Sequence, residues 1–167
     1  MDSTHLHLLL NHFPIVGTLI GVFVLAFGLI TKSRAVQLVA CYLFIAMAVV
    51  SYPVMETGEG AEDTVEKIAG VSKTIMHNHE EAAEIAFWVM IAAGVLALIA
   101  VVLHFLGNTL FTIAIAATLV ASATAFGFMA RTGYIGGQIR HTEIHSPSLQ
   151  NSLQQDMNTG NANDGDD

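Results

Sequence analysis

The sequence predicts an all-α integral membrane protein, a four-helix bundle with a partly helical external loop between its second and third helices. Three observations predict it. Four runs of mostly apolar residues, at about 13–30, 35–55, 85–106 and 110–130, each approach the roughly 20 residues that cross a bilayer as helix. None of them carries Asp, Glu, Lys or Arg in its interior. The chain as a whole is 53% hydrophobic and 12% charged, half the charge of an ordinary soluble domain at roughly 25%, and its mean hydropathy is +0.59. In hydrocarbon the backbone must satisfy its own hydrogen bonds, so the runs are helices.

The elements follow in order. Pro14 suits a first helical turn, where its missing N–H costs nothing, so the first span opens there with His12 at its mouth. Nothing basic precedes this run and no small-residue cleavage site follows it, so it reads as a retained helix and not a signal peptide. Residues 31–34 form a tight link to the second span, and residues 106–109, with Gly107, form another between the third and fourth. Residues 56–84 are longer and acidic. Within them 61–69 is amphipathic, Gly70 breaks it, and Ser72 can cap a new helix that starts near Lys73 and runs into the third span. Residues 1–145 form the transmembrane domain. Residues 146–167 are Gln, Asn, Asp, Gly and Ser in the main, an acidic tail that buries too little apolar area to order itself.

Glycines at 17, 21 and 28, and alanines at 83, 86, 93 and 97 and at 114, 117 and 121, stripe the helices with small residues that let them approach closely. The same stripes leave a homo-oligomer or packing within a larger complex open. The net charge of −8 and the absence of a basic stripe exclude a nucleic-acid partner. Without charge at mid-depth there is no proton relay or voltage sensor, and there is no P-loop, GxSxG or HExxH motif. Independent catalytic activity is not expected. The single Cys41 lies in an apolar run and no CxxCH occurs, so any haem is held non-covalently.

Four crossings bring both ends and the long loop to one face, and with them His5, His7, His12, His77, His79, His141 and His145; His104 alone lies at the other. Lys32 and Arg34, close behind the first span, favour both termini on the outer side, while Lys67, Lys73, Arg131 and Arg140 on the side of the termini count four against two for the reverse. On the third helix His79 stands above Ala83, Ala86 and Met90, the small packing side, and is expected to point inward; His77 stands above Glu81 and Glu84 and is a weaker inward candidate. His12 tops the first helix above Val16 and Leu19. Two imidazoles from facing helices, His12 and His79, suit haem b, with Arg131 and Arg140 for its propionates and Phe13, Tyr52, Met55 and Tyr134 to wall the ring. The same region also suits Cu, Zn or Fe, bound by His12, His77, His79 and His141 with Glu80 or Glu84. Against these stands hydrogen bonding at a helix end; His5, His7 and His145 read as surface residues.

Four blocks in this order resemble a known family. The start Asn11-His12-Phe13-Pro14-Ile15, the turn Thr57-Gly58-Glu59-Gly60-Ala61-Glu62, the helix start His79-Glu80-Glu81-Ala82-Ala83-Glu84 and the exit Gly133-Tyr134-Ile135-Gly136-Gly137 are similar to DUF2231, an uncharacterised family of predicted bacterial membrane proteins. The resemblance spans about residues 6–143. It implies a four-helix protein of the bacterial inner membrane, joined in some members to c-type cytochrome domains, hence a redox setting and chain ends on the periplasmic side. Carried over by it are His12, Glu59, His79, Glu80, Gly133, Gly136 and Gly137. The expected partners are other membrane redox subunits or a c-type cytochrome.

Overall fold

The computed structural model describes residues 3–65 and 72–139. They form α1 (Ser3–Leu10), α2 (His12–Ile30), α3 (Arg34–Val65), α4 (Lys73–Phe105) and α5 (Phe111–Gln138), with no strand among the described residues. α1 and α2 make one span broken by a single residue, so four helices are long and apolar enough to cross a membrane. The break has a local cause. Pro14 has no N–H to offer the carbonyl four residues earlier, at Leu10, where α1 ends. Asn11 nevertheless keeps helical dihedrals, and its N–H bonds the His7 carbonyl at 2.9 Å, so α2 continues the line of α1.

The helices run in a closed ring. α2 packs on α3, α3 on α4, α4 on α5 and α5 on α2, while α1 lies mainly against α3. α2 and α4 are thus diagonal, as are α3 and α5. Phe44, Leu25, Met90, Ala93, Ala97 and Ile115 fill the centre at 0% exposure, and Phe23, Phe27, Trp88 and Val120 are left on the outer surface where lipid would cover them. The small-residue stripes set the spacing. A Cβ on Gly21 would stand 2.5 Å from the Phe44 ring, and one on Gly94 2.5 Å from the Ala48 Cβ. Ala86, Ala93, Ala97 and Ala114 are buried as expected. The buried hydroxyls of Thr118 and Ser122 bond carbonyls of their own helix at 2.8 and 2.7 Å, so the centre holds no unpaired polar side chain of theirs.

The two tight links are built alike. After α2, Lys32 takes φ 53° while Ser33 N–H reaches Gly28 O and Lys32 N–H reaches Leu29 O. After α4, Gly107 takes φ 63° while Asn108 N–H reaches Leu103 O and Gly107 N–H reaches His104 O. Both are left-handed helix stops that bond the last carbonyls. At this same face the Arg34 guanidinium lies 4.2 Å over the Phe111 ring, which His104 flanks at 5.4 Å.

At the other face the helices outrun the apolar spans. α4 has 33 residues, about 50 Å of helix against a hydrocarbon core of about 30 Å, so residues 73–84 stand above the apolar run that begins at Ile85. It starts where expected, with Ser72 Oγ accepting from Ile75 N–H at 3.4 Å. Two expected boundaries shift. α3 continues through Pro53 to Val65 where a span ending near residue 55 was expected, and α5 continues to Gln138 through the glycines at 133, 136 and 137. The expected tail at 146–167 and the break at Gly70 lie outside the described residues.

Candidate functional site: a histidine pair at the bundle mouth

Thr18 on α2 and Met90 on α4 are fully buried and touch across the diagonal, with Thr18 Oγ1 donating to Met90 Sδ at 3.3 Å. Their contact marks the bundle axis. Eleven residues, three helical turns, separate His7 from Thr18 and His79 from Met90. The faces that meet at the centre therefore carry a histidine each at the mouth.

The two imidazoles are seated in the same way. His7 Nδ1 bonds the Val54 carbonyl of α3 at 3.0 Å, and His79 Nδ1 bonds the Thr132 carbonyl of α5 at 3.0 Å. Each ring lies over the glycine one turn beyond its carbonyl. A Cβ on Gly58 would stand 3.1 Å from His7 Cε1, and a Cβ on Gly136 2.9 Å from His79 Cε1. A carbonyl has no proton to give, so Nδ1 carries it in both rings, and both Nε2 atoms are left with a lone pair. No hydrogen bond to either Nε2 forms among the described residues. A ring held through Nδ1–H by a backbone carbonyl is the usual posture of a metal-ligating histidine.

Burial pushes the His79 pKa below its ordinary 6.5; the Thr132 hydrogen bond opposes this, and the nearby His7 charge adds to it. Thr4 and Asn11 stand on the His7 face of α1, at three- and four-residue spacing, and their Oγ1 and Oδ1 atoms are buried without a partner among the described residues.

Several expected ligands lie elsewhere. His12 is exposed, on a face of α2 turned away from the His7–Thr18 line that faces α4. His77 is exposed and faces Glu80 and Glu81 of its own helix at 3.7 and 3.5 Å, an i,i+3 and i,i+4 surface arrangement. Glu80 and Glu84 are exposed as well. Arg131 is exposed and borders a groove on the outer side of the α4–α5 seam, not the mouth. Phe13, Tyr52 and Tyr134, expected to wall a ring, are 57%, 60% and 60% exposed. Arg140 and His141 lie outside the described residues. Among the described residues no group of three His, Cys, Asp or Glu side chains converges as a metal site, so the mouth offers two imidazoles.

No family profile, curated protein or solved structure matches this chain. The site is therefore read from its own geometry. His79 was legible as an inward residue from the small side chains below it. His7 was missed, because its register depends on which residues of α2 and α4 meet. The one advance signal was the pairing of each histidine with a distant glycine on the following helix.

Two imidazoles with free Nε2 atoms suit either the axial positions of haem b or a compact ion. A macrocycle also needs a flat slot between them. Of the aromatic walls expected for it, Phe13, Tyr52 and Tyr134 face outward. The two imidazoles are the donors that such a centre would use, and among the described residues no third His, Cys, Asp or Glu joins them.

Proposed function

We propose that this chain is a membrane-embedded redox protein, or a small subunit of a respiratory-type complex, whose centre is held at the bundle mouth by His7 and His79. The observation that carries the proposal is the shared tautomer. Two histidines on diagonal helices each give Nδ1–H to a backbone carbonyl, rest on a glycine, and keep a free Nε2. An interhelical hydrogen bond alone needs one histidine on one seam. A matched pair at one mouth, beside the orphan oxygens of Thr4 and Asn11, is better explained by a ligand between them. His7 and His79 would hold haem b, which would supply one-electron transfer. The second reading, a compact Cu, Zn or Fe centre, is favoured by the outward-facing Phe13, Tyr52 and Tyr134, which leave a macrocycle without its expected walls. Copper in the cuprous state suits it best, since Cu(I) is satisfied by two nitrogen donors, whereas two imidazoles leave Cu(II), Zn and Fe short of their usual ligand number.

The block resemblance supports a bacterial inner-membrane setting with both chain ends on the periplasmic side and a c-type cytochrome or another membrane redox subunit as partner. So do Lys32 and Arg34 at the opposite rim. One purified sample tests the centre. Either a Soret band or stoichiometric copper, lost in both His7→Ala and His79→Ala and kept in His12→Ala, is expected. Colourless, metal-free protein after expression with ample haem and copper overturns it.

A further inference from the structure

Behind the histidine mouth, on the outer side of the α4–α5 seam, lies a groove of about 310 Å³. Ile75, Ala82, Ile85 and Ile135 give it apolar walls; Asn78, Glu81, Arg131 and Gln138 give it polar ones. It sits at the edge of the apolar spans, because Ile85 opens the third run and Arg131 follows the fourth. A second, shallow depression of about 350 Å³ continues from Arg131 down α5 along Thr124, Gly127 and Phe128. Gly127 is exposed, and a Cβ there would meet nothing within 4 Å, so this strip is open toward the lipid. Arg131 borders both. The combined shape is that of an amphiphile, with a polar head above Arg131 and an apolar tail below it.

Charge narrows the head group. A carboxylate and a guanidinium line the same groove, so it holds no net charge of either sign. A phosphate head would meet Glu81 as well as Arg131. A neutral ring with two oxygens suits both: carbonyls accept from Arg131 and Asn78, and hydroxyls donate to Glu81. Position narrows it further. Asn78 is next to His79, Arg131 is next to Thr132, and Ile135 is next to Gly136. The groove and the histidine seat are the two sides of one helix seam, within about one helix diameter of 10–12 Å of each other.

We propose that this groove binds the head of a membrane quinone or quinol, with its tail along Gly127. The choice of a quinone over other neutral amphiphiles rests on the redox reading of the mouth; the groove and its polarity do not.

Trp88, the single tryptophan, is 61% exposed and follows Ile85 by three residues on α4, one turn below the groove, so a bound quinone would quench it. The experiment titrates a decyl-chain benzoquinone into the full chain in phosphatidylcholine nanodiscs and follows Trp88 fluorescence. Saturable quenching is expected, weakened about tenfold or more in Arg131→Gln and in Asn78→Leu, both exposed positions whose change spares the core. Quenching that does not saturate, or that is the same in both variants, overturns the proposal. Displacement of the quinone by phosphatidylglycerol with the same Arg131 dependence also overturns it and makes the groove a phospholipid seat. The titration is repeated in the His7→Ala/His79→Ala protein. Quinone binding retained there, with no centre found in the unaltered protein, keeps the groove and removes the redox mouth. A bound centre without quinone binding does the reverse.

Discussion

His7 and His79 stand in one register on diagonal spans, α1–α2 and α4, each three turns above a residue of the Thr18–Met90 contact, and each bonds a carbonyl of a neighbouring helix, Val54 of α3 or Thr132 of α5. The relation repeats across the molecule. The hairpin of α1, α2 and α3 and the hairpin of α4 and α5 share a histidine near the start, a left-handed stop at Lys32 or Gly107, and a glycine seat at 58 or 136. Equivalent faces of two like hairpins meet at the axis, and for that reason both histidines stand at the same end of the bundle.

The first prediction separates the two glycine seats. Gly→Ala within a helix gains roughly 0.5–1 kcal/mol of propensity, while forcing a methyl into a packed site costs about 1–3 kcal/mol. At Gly136 the added Cβ would lie 2.9 Å from the His79 ring, close enough that the ring must move. Gly136→Ala is therefore expected to lower stability by about 1 kcal/mol or more and to weaken any metal or haem bound at the mouth. Gly58→Ala, at 3.1 Å from His7, should be nearly neutral, and Gly127→Ala, in open space, stabilising. Thermal unfolding of the three variants in detergent orders them; equal effects at 136 and 127 would show that no ring occupies the seat.

Much of this fold was legible in the sequence because lipid imposes a simple rule. Four charge-free runs could only be helices, and Ser72 marked the start of α4 correctly through its cap. The small residues above Met90 fixed the inward face and so placed His79. What escaped has physical reasons. α1 lies before Pro14 in a stretch too polar to score as a span, so the proline read as a beginning when it is a break within one long helix. His12, at that apparent mouth, then seemed the natural ligand. The choice between His7 and His12 depends on the angle at which α2 meets α4, which no local pattern in either helix contains.

The pH dependence follows from His79. Its folded pKa is depressed, by burial first and by the nearby His7 charge as well, although the Thr132 bond pulls the other way. A histidine with a lowered folded pKa binds fewer protons in the native state than in the unfolded one, so stability rises with pH through this window. The contribution is fully present above the ordinary value of 6.5 and is lost as pH falls through the lower folded value. Unfolding temperature should drop on acidification below about pH 6.5, and the slope should diminish in His79→Gln. A slope unchanged by that substitution would assign the dependence to other groups. Protons also compete for Nε2, so occupancy of the mouth by copper should fall over the same range.

The left-handed stops make a paired prediction at the opposite rim. Lys32 holds φ 53°, a conformation that costs a side-chain-bearing residue roughly 1–2 kcal/mol, whereas Gly107 at φ 63° avoids that cost. Lys32→Gly should stabilise by up to about 1 kcal/mol and Gly107→Ala destabilise by a similar amount. Chemical unfolding in mixed micelles measures both. If Lys32→Gly destabilises, the lysine contributes more at the membrane border than its backbone strain removes, and the positive charge there is the stronger term.

Threading is the prediction on which the shared mouth depends. Cys41 is 0% exposed in the bundle centre, so the unaltered chain should react slowly with a membrane-impermeant maleimide. Single cysteines at the exposed positions His5, Glu59 and Thr74 should then label from one compartment, and cysteines at Lys32 and Asn108 from the other. If the resemblance and the Lys32–Arg34 pair fix the orientation, the first set is reached from outside intact spheroplasts. The reverse sidedness would turn the mouth inward and leave the pair intact. Labelling of His5→Cys and Thr74→Cys from opposite compartments would put His7 and His79 at different surfaces, and no ligand could then lie between them.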